Sequence, residues 1–165
     1  MDLSSKRLTY IKCKTEGIED YLNFGMNEAV MHYVTFAALS REKSVKRYEA
    51  AVSVNNQNTP FGYWMAYTKD TGELIIYLKI VDLGNGQHEV GYLVLPEHWG
   101  KGYASEVTAT LVDYAETIDG VTELIGIVDS RNNASKRVLL KLGFEYYKSE
   151  EEEEGSIGEY FGLRV

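Results

Sequence analysis

The chain has 165 residues, 44% hydrophobic and 25% charged, the proportions of one ordinary globular domain expected to span residues 1–165. A single cysteine, Cys13, excludes a disulfide scaffold, and with only three histidines no Cys/His cluster for structural zinc is expected, nor any other metal. The net charge of −8 lies wholly in the second half: residues 1–82 carry 10 basic and 10 acidic side chains, residues 83–165 carry 7 and 15. A groove for nucleic-acid phosphates needs the opposite sign, so a cationic partner fits better and plain solubility is the simplest account.

Lys6, Arg7, Lys12 and Lys14 interrupt the first 14 residues, so they hold no signal-peptide core. No run approaches the length of a membrane span, and a cytoplasmic protein is expected. Residues 7–13 alternate and read as a first strand. Residues 17–33 read as one or two short helices, with Ile18, Tyr21, Leu22, Met26, Val30 and Tyr33 at helical spacing. Residues 40–55 form a clearer helix, with Ser40 as N-cap and Lys43 where a full capping box has Glu. Three hairpin-linked strands follow at 61–68, 73–83 and 87–95, joined by Lys69-Asp70-Thr71-Gly72 and Gly84-Asn85-Gly86.

The pattern then changes to helix 102–118, strand 121–128 and helix 132–142, which Gly143 stops. Strand 144–148, a turn over 150–155 and strand 157–163 complete the chain. Strand–helix–strand from 87 to 128 requires a parallel neighbour. The fold class is therefore α/β: a mixed sheet of about seven strands, mostly antiparallel, with helices on both faces.

The most informative stretch is Leu93-Val94-Leu95-Pro96-Glu97-His98-Trp99-Gly100-Lys101-Gly102-Tyr103-Ala104-Ser105-Glu106. A strand runs into a glycine-bearing loop that opens a helix. The first N–H groups of a helix lack partners, its dipole favours negative charge, and glycines let a phosphate come close. No Ser, Thr, Asp or Asn stands where the N-cap should be, as expected of a helix capped by a ligand; water filling a glycine turn is the plainer reading. The stretch lacks the Lys-Ser/Thr ending of a P-loop and the third glycine of a dinucleotide fingerprint. His98 falls in the loop and is expected at the surface.

From Gly91 to Glu106 this segment resembles the acyl-CoA-binding motif of the GNAT superfamily of N-acetyltransferases, and its Trp-Gly-Lys-Gly-Tyr-Ala-x-Glu form resembles the RimJ/RimL-type branch. A second match follows: Asn132-Asn133-Ala134-Ser135 and Lys141-Leu142-Gly143-Phe144 resemble the family's Asn-x-x-Ser helix and its Lys-Leu-Gly-Phe ending. The resemblance implies a central parallel pair, strands 87–95 and 121–128, splayed into a slot for the pantetheine of acetyl-CoA. It implies that backbone near Leu93, Val94 and Leu95 binds the pantetheine amides. Gly100, Lys101, Gly102, Tyr103 and Ala104, with Ser105, would hold the pyrophosphate. Asn132 and Ser135 match positions near the thioester, and helix capping explains both equally well. Glu97 stands where many members have Gln or Arg.

The implied reaction is direct attack by a primary amine on acetyl-CoA in a ternary complex. Glu89, two residues before Gly91, is the expected base, against the alternative of an exposed strand carboxylate. His88 points to the other face by strand parity. The tyrosine that many members carry four residues before the Gly-Phe pair is Leu139 here, so Ser135 is the expected donor to the sulfur. A backbone N–H near Leu93 is expected to serve the oxyanion. Cys13 reads as a small core residue. The run Glu150-Glu151-Glu152-Glu153-Glu154 would border the acceptor side; it would attract a cationic amine, or simply be a solvated loop. The resemblance suggests a protein N-terminal amine, such as that of a ribosomal protein, or a small amine as acceptor, and a monomer or homodimer. The competing readings are a catalytically silent acyl-CoA-binding module, which Leu139 favours, and an adaptor for a basic partner.

Overall fold

Seven strands and five helices, in a computed structural model, carry the residues described, 3–165. The strands are β1 (Leu8–Lys12), β2 (Gly62–Thr68), β3 (Leu74–Gly84), β4 (Gln87–Val94), β5 (Glu123–Asp129), β6 (Glu145–Glu151) and β7 (Ile157–Arg164). They form one sheet in the order β1-β2-β3-β4-β5-β7-β6. Every neighbouring pair is antiparallel except β4 and β5, the expected mixed topology with one parallel pair.

Period-two alternation gives the sheet two buried faces. Ile76, Leu78 and Ile80 of β3 pack with Val90 and Leu124 beneath α4 (Tyr103–Glu116) and α5 (Asn133–Lys141). Val107, Leu111 and Ala115 recur along α4 at helical spacing and are fully buried there. On the opposite face Met65, Tyr77 and Leu95 pack beneath α1 (Ile18–Gly25), α2 (Glu28–Met31) and α3 (Arg41–Asn55). Cys13 lies in this second core, and burial pushes its thiol up to about 12, which makes it an inert packing residue.

α3 begins where its sequence says, with the Ser40 hydroxyl accepting from the Lys43 N–H at 3.2 Å. Its last residue is a rivet. Asn55 Nδ2 donates to the carbonyls of Cys13 and Tyr63 at 2.8 and 2.9 Å, and its Oδ1 accepts from the Tyr63 N–H at 2.8 Å. At about 1 kcal/mol per bond, Asn55→Ala should cost about 2–3 kcal/mol. That is about 5–10 °C in melting temperature for a domain of this size, measurable by calorimetry.

Two expectations are corrected. β6 runs through Glu150 and Glu151, which pair with Gly158 and Ile157 of β7, so the turn begins only at Glu152. Cross-strand pairing overrides a local composition that reads as turn. His98 is buried, at 6% exposure, in a short 3-10 turn (Pro96–His98); its Nε2 lies 3.2 Å from Glu73 Oε1 and its ring meets Tyr103 edge-on.

Candidate active site

β4 and β5 pair over only four residues, from Gln87↔Glu123 to Val90↔Gly126. Beyond Val90, β4 continues along β3 to Val94, and β5 continues along β7 to Asp129. The two strands part, and a wedge opens between them at their C-terminal ends. The Leu95 N–H donates to the Ile75 carbonyl at 3.1 Å. In an antiparallel ladder hydrogen-bonded pairs recur every second residue, so Leu93, opposite Tyr77, also spends its amide on β3. The expectation that Leu93 and Leu95 present amides to the slot is thereby corrected: Tyr92 and Val94 face it. The Val94 carbonyl accepts from Trp99 Nε1 at 2.8 Å, which leaves its N–H.

At the wide end of the wedge α4 starts without a cap. Gly102 is the N-cap residue, in the left-handed region at φ 79°, and no side chain caps the helix. Gly100 is left-handed too, at φ 72°. Among the described residues, none of the amides of residues 100–105 has a hydrogen-bond acceptor. Six consecutive free donors at the positive end of a helix make an anion cradle. Arg7 of the segment before β1 braces it. Its Nη1 donates to the Lys101 carbonyl at 2.9 Å, its Nε to Glu106 at 2.6 Å, and its guanidinium stacks 4.0 Å over the Tyr103 ring. Sequence reading missed this brace, because it joins residues 94 or more apart.

Glu106 also accepts from Ser5 Oγ and from the Arg7 N–H. Burial pulls its carboxyl upward, but the bonds and charge of Arg7 together with Ser5 outweigh this and hold it below the usual range. A depressed carboxylate stabilises the fold above its unfolded pKa, and that contribution is lost as pH falls through the folded value. The melting-temperature gap between wild type and Glu106→Gln should therefore be widest near neutrality and shrink as pH drops into the acid range.

Glu89 lies on the other face of the sheet from α4, with Lys79 Nζ 2.7 Å from its Oε1. Beside it Tyr63 stacks on Tyr77 with centroids 5.8 Å apart, and burial together with the Glu89 charge raises the Tyr63 phenol. On the α4–α5 face, Asn132 caps α5, its Oδ1 accepting from the Ser135 N–H at 3.2 Å. Tyr92 Oη donates to Ser135 Oγ at 3.2 Å. Tyr92 has a signal in the sequence: it shares the parity of Val90, and a tyrosine on a buried face needs a partner for its hydroxyl. Leu139 is buried, its Cδ1 only 2.7 Å from where a Cβ on Gly126 would stand. The usual tyrosine position is thus filled by helix–sheet packing. Past β5, Arg131 grips Asp129 with Nε and Nη2 at 2.9 Å each and reaches over Tyr33 and Phe36, tying the N-terminal helical segment to the end of the wedge. Among the described residues, no group of three His, Cys, Asp or Glu could hold a metal, and no helix is long and apolar enough to cross a membrane.

Residues 7–145 match the family described as acetyltransferase (GNAT) domain. The chain is 34% identical over 122 residues to the uncharacterized N-acetyltransferase YoaA of Bacillus subtilis (strain 168), covering 73% of this chain and 60% of that protein, so the match spans less than two thirds of the relative's length. Solved structures share the fold at lower identity. RimL, a ribosomal L7/L12 α-N-protein acetyltransferase in complex with coenzyme A, superposes with TM-score 0.84 at 12% identity, covering 100% of this chain and 98% of that one. A spermidine N-acetyltransferase from Vibrio cholerae, in complex with CoA and spermine, gives 0.80 at 17%, covering 96% and 95%.

Proposed function

We infer the reaction from one premise: the chain belongs to the GNAT acetyltransferase family and is an N-acetyltransferase. Acetyl-CoA is the donor. The observation that carries the assignment is the arrangement of the wedge, with an uncapped helix start on one face of the sheet and a carboxylate on the other. The amides of Gly100, Lys101, Gly102, Tyr103, Ala104 and Ser105 fit a pyrophosphate, and the free amides of Tyr92 and Val94 fit the pantetheine arm threaded between β4 and β5.

Glu89 takes the proton of the acceptor ammonium, directly or through a water. The neutral nitrogen then bonds to the acetyl carbon, and a slot-facing amide steadies the oxyanion. As the C–S bond breaks, its electron pair passes to sulfur. The nitrogen gives up its second proton, which reaches that sulfur through solvent, so the products are a neutral amide and the free thiol of CoA. Ser135, whose oxygen is held by the Tyr92 hydroxyl, keeps its own proton for that sulfur, with Asn132 fixing the helix start. Both substrates are held together, so no covalent enzyme intermediate is needed.

The acceptor is a primary amine, either a protein N-terminus such as that of a ribosomal protein or a small amine. The acetylation of such amines by proteins of this fold supports this reading. Calorimetric titration with acetyl-CoA, followed by thiol release over a panel of amines, tests it. Micromolar binding with turnover is expected; no binding at millimolar donor would overturn it.

A further inference from the structure

Lys79 leaves β3 directly opposite Gly91, the first residue of β4 beyond the last β4–β5 pair. Its Cγ, Cδ and Cε pass 3.5, 3.9 and 3.0 Å from where a Cβ on Gly91 would stand. The missing side chain is thus a notch through which the lysine stem crosses β4. The ammonium emerges at the fork of the wedge and bonds one oxygen of Glu89 at 2.7 Å, with the two side chains 27% and 20% exposed. A carboxylate can accept at both oxygens, so the second remains for an acceptor.

We propose that Lys79 is a positioning and specificity residue: it fixes the Glu89 carboxylate and sets an ammonium beside the reacting amine. The inference rests on Glu89 being the base. An acceptor carrying a second cationic group a few bonds from its reacting nitrogen meets like charge at the fork. An N-terminal amine flanked by neutral groups brings only the one ammonium charge that Glu89 removes. The arrangement therefore selects monoamines over polyamines, whatever attraction the outlying glutamate run exerts at the surface.

The test compares kcat/KM for a short lysine-free peptide with a free N-terminal alanine and a blocked C-terminus against kcat/KM for spermidine. Wild type should favour the peptide. Lys79→Met keeps the stem and removes the charge, and should move the ratio at least tenfold toward spermidine, chiefly through the KM for spermidine. Lys79→Arg should restore the wild-type ratio. Lys79→Gln stands in should the methionine variant fail to fold, with melting and acetyl-CoA titration as checks. A wild-type preference for spermidine, an unmoved ratio, or equal losses on both amines would overturn the proposal. Glu89→Gln run alongside separates the two readings. A slow glutamine variant with an unmoved Lys79→Met ratio removes only the role of Lys79; a fully active one removes the base itself.

Discussion

A Glu89→Gln enzyme should bind acetyl-CoA with wild-type affinity and turn over about 100- to 10,000-fold more slowly, the range a positioned general base supplies. The two side chains have nearly the same shape, and the amide cannot take the acceptor's proton. The amide oxygen can still accept from Lys79, which is 27% exposed, so the substitution removes the charge of the pair and not the bond itself. Losing the charge of this mostly buried pair costs about 1.5–3 kcal/mol, which a domain stable by about 5–15 kcal/mol survives, so with melting measured alongside the loss of turnover is chemical. Stopped-flow or steady-state thiol release gives kcat, and calorimetry gives the donor affinity. Equal turnover in the two proteins would assign the proton transfer to another group.

Gly102→Pro is expected to act on the other substrate. Proline holds φ near −65°, whereas Gly102 stands at 79°, and it removes one of the six free amides. The loop must then refold, and neighbouring donors lose their aim. Two lost bonds to a charged phosphate, at about 1.5 kcal/mol each, weaken acetyl-CoA about 100-fold. Loop and core are separate: no atom lies within 4 Å of a Cβ built on Gly100, and only an Arg7 nitrogen, at 3.7 Å, on Gly102. Melting should still fall, because any side chain at this positive φ is strained and the Arg7 bond to Lys101 lies alongside, so the dissociation constant is read well below the variant's own melting temperature. Unchanged affinity in a folded variant would show that the phosphates bind elsewhere.

What the sequence disclosed followed from how local each cause was. The uncapped helix start needs only Gly100, Gly102 and the absence of a capping side chain, so it stands in plain view along the chain. The faces of β4 follow from parity, which puts Glu89 and Val90 on opposite sides. The slot-facing amides needed the β3 register, which no local pattern reveals, and the reading slipped by one residue at Leu93. Arg7 on Lys101 and Lys79 on Glu89 are contacts between distant segments. His98 looked exposed because its loop is polar, yet packing against Tyr103 and Glu73 buries it.

β6 ends the sheet, and only β7 pairs with it. All seven of its residues are exposed, Tyr146 and Tyr147 among them at 53% and 46%. A bare strand edge is a template on which another chain can add itself. Here the edge runs straight into Glu150 to Glu154, so two copies that approach along it bring like charges together. Lys148, paired with Glu150, holds that carboxyl below its ordinary range and so keeps it ionised into mild acid. Consecutive carboxylates raise the electrostatic cost of adding a strand at this edge, a cost that high salt screens and strong acid removes.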